Sequence, residues 1–126
     1  MKLHPISAGA LLIKVLVISS TALAAGDPTA SEKAYSSHCA VCHATTPGEN
    51  KIGPSLAGIV GSKSGTVPGF NFSTAMKEAN ATWDDANLDK YLANPSGFVR
   101  GTKMFVNLPS DTDRANVIAY LNTLKK

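Results

Sequence analysis

Five residues constrain this chain more than any others: Cys39-Ala40-Val41-Cys42-His43. They hold both of its cysteines, followed directly by a histidine. A disulfide across so short a loop would restrict the unfolded chain little, so stapling is a poor use of the spacing. C-x-x-C-H is instead the pattern of c-type haem attachment. Two thioethers hold the porphyrin edge, and the adjoining histidine points a ring nitrogen at the iron. A dithiol redox motif of the thioredoxin kind wants a strand–helix unit around it. Here Ala34 to His43 reads as the end of a short helix, with Tyr35 and Cys39 at i,i+4, and no β-rich run precedes it. His38 has no evident task and reads as a solvated side chain.

One histidine ligand leaves a second axial position, which sets potential and reactivity. No histidine follows His43, and the downstream sulfur candidates are Met76 and Met104. Met76 lies in the helix-like stretch Ser73–Ala79 and reads as packing, the usual task of a lone methionine. Met104 lies in Gly101-Thr102-Lys103-Met104-Phe105, a loop between helices, where irregular backbone can present a thioether. Thr102 is positioned to fix that loop through its hydroxyl. Met104 is therefore the expected sixth ligand.

The first 25 residues read as a secretory signal. A basic start, a mostly apolar Ala8–Ser20 and the small-x-small Ala22-Leu23-Ala24 place cleavage near Ala24/Ala25. Lys14 interrupts the apolar run, which is short against the roughly 20 residues of a membrane span. A retained anchor is the alternative. The domain proper is then 26–126, small enough that a cofactor should contribute to its stability. The formal net charge of +3 includes Lys2 and Lys14; without them 10 basic residues face 9 acidic ones, a net of +1. Lys and Arg are scattered, which gives nucleic-acid binding no support.

The remaining pattern is all-α: about four helices and long loops wrapped around one covalently attached haem. A first helix is expected over Ser31–Ala40, and Asn50–Gly69, rich in Gly, Ser and Pro, reads as loop. Ser73–Asn80 is a short helix. Thr82 with Asp85 resembles a capping box for a helix through Leu88, Tyr91 and Leu92, ending before Pro95. Ser110, with Asp111 and Asp113 in the first turn, opens a last helix whose apolar face is Val117, Ile118, Tyr120, Leu121 and Leu124. Lys125-Lys126 sit favourably at its C-terminal end.

In this order the residues resemble the class I cytochrome c family, in particular bacterial members similar to mitochondrial cytochrome c and cytochrome c2. The resemblance runs from Tyr35 to Lys125. Cys39, Cys42 and His43 fall on the attachment motif, and Gly53-Pro54-Ser55-Leu56 on the family's G-P-x-L. That match implies that the Pro54 carbonyl hydrogen-bonds the ligand histidine. Trp83 matches a buried tryptophan that donates to a haem propionate, and Tyr91 a tyrosine near the methionine sulfur. Gly101-Thr102-Lys103-Met104 matches G-T-K-M, and the terminal helix should meet the first through Tyr120 and Tyr35. The chain departs from the family at Ser62, where an arginine is usual, at Phe72, a tyrosine, and at Met76, often an asparagine. Arg100 replaces a loop-stiffening proline, and Phe105-Val106-Asn107-Leu108-Pro109 is about one residue short.

The resemblance implies a soluble, monomeric periplasmic electron carrier. Its haem c, bound through Cys39 and Cys42, would cycle between Fe(III) and Fe(II) and carry no substrate chemistry. Partners would be transient redox proteins, such as a membrane oxidase, reductase or reaction centre, steered by Lys51, Lys63, Lys103 and Lys90. The competing functions are a gas-binding or enzymatic haem protein in which Met104 dissociates, and a thiol–disulfide oxidoreductase using Cys39 and Cys42.

Overall fold

The computed structural model describes residues 27–126. The expected signal segment lies outside these residues. Five helices follow one another: α1 (Pro28–His38), α2 (Thr74–Glu78), α3 (Asp85–Ala93), α4 (Pro95–Phe98) and α5 (Asp111–Thr123). Among the described residues there is no strand; an antiparallel bridge pairs Lys63 with Thr82.

Capping chemistry sets the helix ends. Asp27 accepts from the Thr29 amide at 3.0 Å and Pro28 takes the first helical turn, so α1 begins earlier than the expected Ser31. It ends at His38, and Cys39 is already its cap. Ser73 caps α2, accepting from the Met76 amide. The cap of α3 is Asp84, whose carboxylate accepts from the Asn87 amide at 2.8 Å. The Thr82–Asp85 capping box is thus corrected: Thr82 and Asp84, two residues apart, both offer an acceptor, and Asp84, three residues before Asn87, took the position. Asn94 both ends α3 and, accepting from the Gly97 amide, opens α4. That short additional helix was not expected, because Asn94-Pro95 reads as a terminator although proline equally suits a first turn. Ser110 caps α5 as expected; such a cap is worth about 1 kcal/mol.

The terminal helices cross through the Tyr35 and Tyr120 rings, stacked at 4.6 Å and 28°. Val117 is wholly buried there and Leu121 nearly so. Each such side chain contributes roughly 1.5–3 kcal/mol by leaving water. α3 packs on both α4 and α5. Lys126 lies over Gly58 rather than at the end of α5. The helices thus form a partial shell, and the non-helical chain from Cys39 to Ser73 closes the other side around an apolar cavity.

Candidate functional site

The cavity has a volume of about 320 Å³ and is lined mainly by apolar groups. The attachment motif turns off the end of α1 into its wall. The Cys42 and His43 amides donate to the Cys39 carbonyl at 3.0 and 2.9 Å, closing a tight turn. The Tyr35 hydroxyl donates to the His43 carbonyl at 2.9 Å. Burial, with Cys39 and Tyr120 nearby, pushes that phenol up to about 12, so it stays a donor. The family resemblance implied for Tyr35 only a contact with Tyr120; its position one helical turn before Cys39 was the signal for the second task.

The Gly53 amide donates to the Cys42 carbonyl at 2.8 Å and the Leu56 amide to the Ala44 carbonyl at 2.9 Å, laying residues 53–56 beside the motif. Ser55 holds this return in register, its amide donating to Asn50 Oδ1 and its hydroxyl to the Thr46 carbonyl. The Pro54 carbonyl then meets His43 Nδ1 at 2.7 Å. A carbonyl only accepts, so Nδ1 carries the proton, and Nε2 of the neutral ring keeps its lone pair for a metal. Burial pushes the His43 pKa below the ordinary histidine value; the Pro54 bond opposes this and Lys51 adds to it. The neutral ring is the form a metal binds. Gly53 permits this seating: a Cβ there would stand 2.6 Å from Nδ1 and 2.8 Å from Nε2 of His43.

Both cysteines line the same cavity, Cys39 buried and Cys42 partly so. Burial, then the neighbouring Cys42, pushes the Cys39 thiol up to about 11. A disulfide oxidoreductase needs a thiolate with its pKa lowered instead. Met104 also lines the cavity, half-buried, while Met76 on α2 lines it as a buried core residue. Tyr91 and Thr102 share a buried hydroxyl–hydroxyl bond of 2.7 Å, and the Met104 amide donates to Thr102 Oγ1 at 3.3 Å. Thr102 is therefore tied both to α3 and to the thioether's own backbone. Replacing Thr102 with valine should cost about 1–3 kcal/mol in denaturant unfolding, since it leaves the Tyr91 hydroxyl buried without its partner.

Trp83 forms the inner wall, its ring 4.9 Å from Tyr91 and 6.1 Å from Phe98. Leu56, Ile59 and Leu88 complete an apolar lining. The site residues expected from sequence, Cys39, Cys42, His43, Pro54, Trp83, Tyr91, Thr102 and Met104, all line this one cavity. Two thiols, an imidazole with a free Nε2, a thioether and apolar walls fit a flat, covalently held iron porphyrin. Of the family departures, Ser62 bonds the Ile59 carbonyl and Phe72 stands edge-on to Phe70. His38 is exposed, with Nε2 3.5 Å from Asp113.

A model of the cytochrome c family matches residues 29–125. The chain is 49% identical over 116 residues to cytochrome c2 of Rhodomicrobium vannielii, spanning 90% of this chain and 92% of that one. It is 44% identical over 101 residues to cytochrome c of Euglena viridis, covering 79% of this chain and 99% of the relative. Among solved structures, cytochrome c2 from Rhodospirillum centenum superposes with a TM-score of 0.73 at 33% identity, covering 80% of this chain and 100% of that one. Cytochrome cH from Methylobacterium extorquens gives 0.71 at 42% identity, covering 78% and 99%.

Proposed function

The chain belongs to the cytochrome c family, and on that premise we propose that His43 and Met104 are the two axial ligands of its haem, in a carrier that works in the periplasm. The family is close to cytochrome c2, its members are electron carriers and not enzymes, and the Cys39–Cys42 spacing implies one covalent haem c. When bound, the haem supplies a one-electron Fe(III)/Fe(II) couple.

The observation that carries the ligand assignment is the convergence of a His43 Nε2 lone pair and the Met104 thioether on one apolar cavity that also holds both thiols. His43 is held from three sides: its carbonyl by Tyr35, its amide by Cys39 and its ring by Pro54. The Pro54 bond fixes ring orientation and adds basicity to Nε2. Thr102 holds the backbone of Met104. A soft, neutral thioether and dry walls favour the ferrous state, and His/Met ligation raises the potential in cytochromes c. Trp83, buried against Tyr91, excludes water from the inner wall and is the proposed donor to a propionate.

Partners would meet the cavity mouth, where Ile52, Phe105 and Val106 are exposed apolar side chains. Lys51, Lys63, Lys90 and Lys103 are exposed as well, and Lys63 and Lys103 lie at the same opening. A rim of few charges around apolar contacts suits brief encounters steered weakly by charge. Residues 1–25 supply the export signal in this reading.

The exposed segment after Met104 favours one competing reading, a protein whose thioether leaves and admits small ligands. Carbon monoxide added to the reduced, haem-loaded protein at neutral pH separates the two. The carrier reading requires no binding and a reversible titration of one electron per chain. Ready binding would replace it with a gas-binding or peroxidatic function.

A further inference from the structure

The segment from Val99 to Ser110 carries Met104 and contains no helix beyond its boundaries. Its near side is pinned by Thr102 to Tyr91, and by Lys103 Nζ, which donates to the Asn71 carbonyl at 2.7 Å. Phe105, 84% exposed, and Val106, 55% exposed, follow without packing. The far side must therefore be held elsewhere if the thioether is to stay in the cavity.

It is held by α5. Arg114 is buried, and its Nη1 donates to two successive loop carbonyls, Leu108 at 2.9 Å and Pro109 at 3.0 Å. Its Nε donates to Asp89 on α3 at 2.7 Å, and its Nη2 is paired with Asp111. The Leu108 amide donates to the Leu92 carbonyl at 2.8 Å, so the same residue is bonded from both its faces. A planar guanidinium has five donors in a fixed fork and can serve two carbonyls and two carboxylates at once, which a lysine ammonium cannot.

We propose that Arg114 is a positioning residue for Met104: by clamping the Leu108 and Pro109 carbonyls it limits how often the loop opens and the thioether leaves the iron. This rests on the assignment of Met104 as the sixth ligand. The clamp acts through the loop backbone, five to six peptide units from the sulfur, and sets the populated fraction of the open loop. An external ligand that binds only the open form reports that fraction directly.

The test uses the haem-loaded ferric protein at neutral pH, with imidazole as the competing ligand. Three proteins are compared: unmodified, Arg114→Lys, and Asp89→Asn, which removes the α3 carboxylate but leaves both carbonyl contacts. Charge-assisted bonds of this kind are strong enough that Arg114→Lys should raise the apparent imidazole association constant about tenfold or more. Asp89→Asn should raise it less than about twofold, since its loss leaves the clamp in place. In Arg114→Lys the far-red sulfur-to-iron band should also fade on heating well before the helical circular dichroism does. Equal increases in both variants would overturn the clamp in favour of a general loss of stability, and no increase in either would overturn it outright. Should Arg114→Lys fail to accumulate, Arg114→Gln, which keeps a donor for one carbonyl, must show the same excess over Asp89→Asn. Absence of the far-red band from the unmodified protein would overturn the Met104 assignment itself. Its presence with an unmoved imidazole affinity would overturn the clamp alone.

Discussion

Replacing Met104 with alanine is expected to abolish the far-red band of the ferric protein and lower its reduction potential. The drop should be a few tenths of a volt, within the roughly 0.8 V over which axial ligands set haem potentials. The thioether is soft and neutral, so its loss removes a donor that favours the ferrous state, and a half-buried site lets water approach. Carbon monoxide should then bind the reduced variant readily. The packing cost is modest: a partly buried methionine cut to alanine belongs at the low end of such substitutions, about 2 kcal/mol. The control is Met76→Leu. Met76 lines the same cavity but is buried on α2, and this volume-conserving change should keep the band and cost less than about 1.5 kcal/mol. If the band followed Met76 instead, the ligand assignment would pass to that residue.

The second large effect concerns the other face of the site. Gly53→Ala is expected to destabilise the haem-loaded protein by about 3 kcal/mol in denaturant unfolding, the upper end of ordinary overpacking costs. The added methyl would stand within 2.8 Å of three atoms of the His43 ring. Either the ring tilts and loses its 2.7 Å bond to the Pro54 carbonyl, or residues 53–56 move away from the motif they pair with. The backbone of Gly53 does not itself require glycine, because its φ lies outside the left-handed region. The cost is therefore steric, and serine should behave as badly as alanine. Wild-type stability in Gly53→Ala, with an unchanged spectrum, would mean that the ring does not sit against this residue.

Both results depend on features that differ in how openly the sequence displays them. Cys39, Cys42 and His43 are adjacent in the chain, so their joint chemistry is visible in five letters. Ser110 with Asp111 and Asp113 marked the start of α5 because capping is local. The Tyr35–Tyr120 contact followed from the apolar face of α5 and the resemblance together, and the rings do stack. Local signals failed where two neighbours could do the same task. Thr82 and Asp84 are both side-chain acceptors, and only the backbone path after Trp83 decides that Asp84 faces the first free amides. Asn94-Pro95 marked an end to α3 correctly, yet the same pair starts α4.

The least legible residues act through backbone atoms far away in sequence. Gly53 matters because of the space a histidine occupies ten positions earlier, and no spacing rule encodes that approach. Arg114 sits on α5 among polar residues, with Asp111 one turn away as a local partner, and no local pattern in the sequence singles it out. Its burial follows from Asp89 on α3 and two loop carbonyls, groups that converge only after the helices have packed. Short-range chemistry therefore exposes the attachment motif, while the contacts that hold the loop after Met104 emerge with the tertiary fold.

The central claim is that a single chain holds its iron between His43 and Met104, and the visible spectrum of the haem-loaded ferric protein tests it most directly. The account predicts the weak far-red sulfur-to-iron band at neutral pH, lost in Met104→Ala and kept in Met76→Leu. A ferric spectrum without that band, from protein whose haem is still attached through both cysteines, would contradict it.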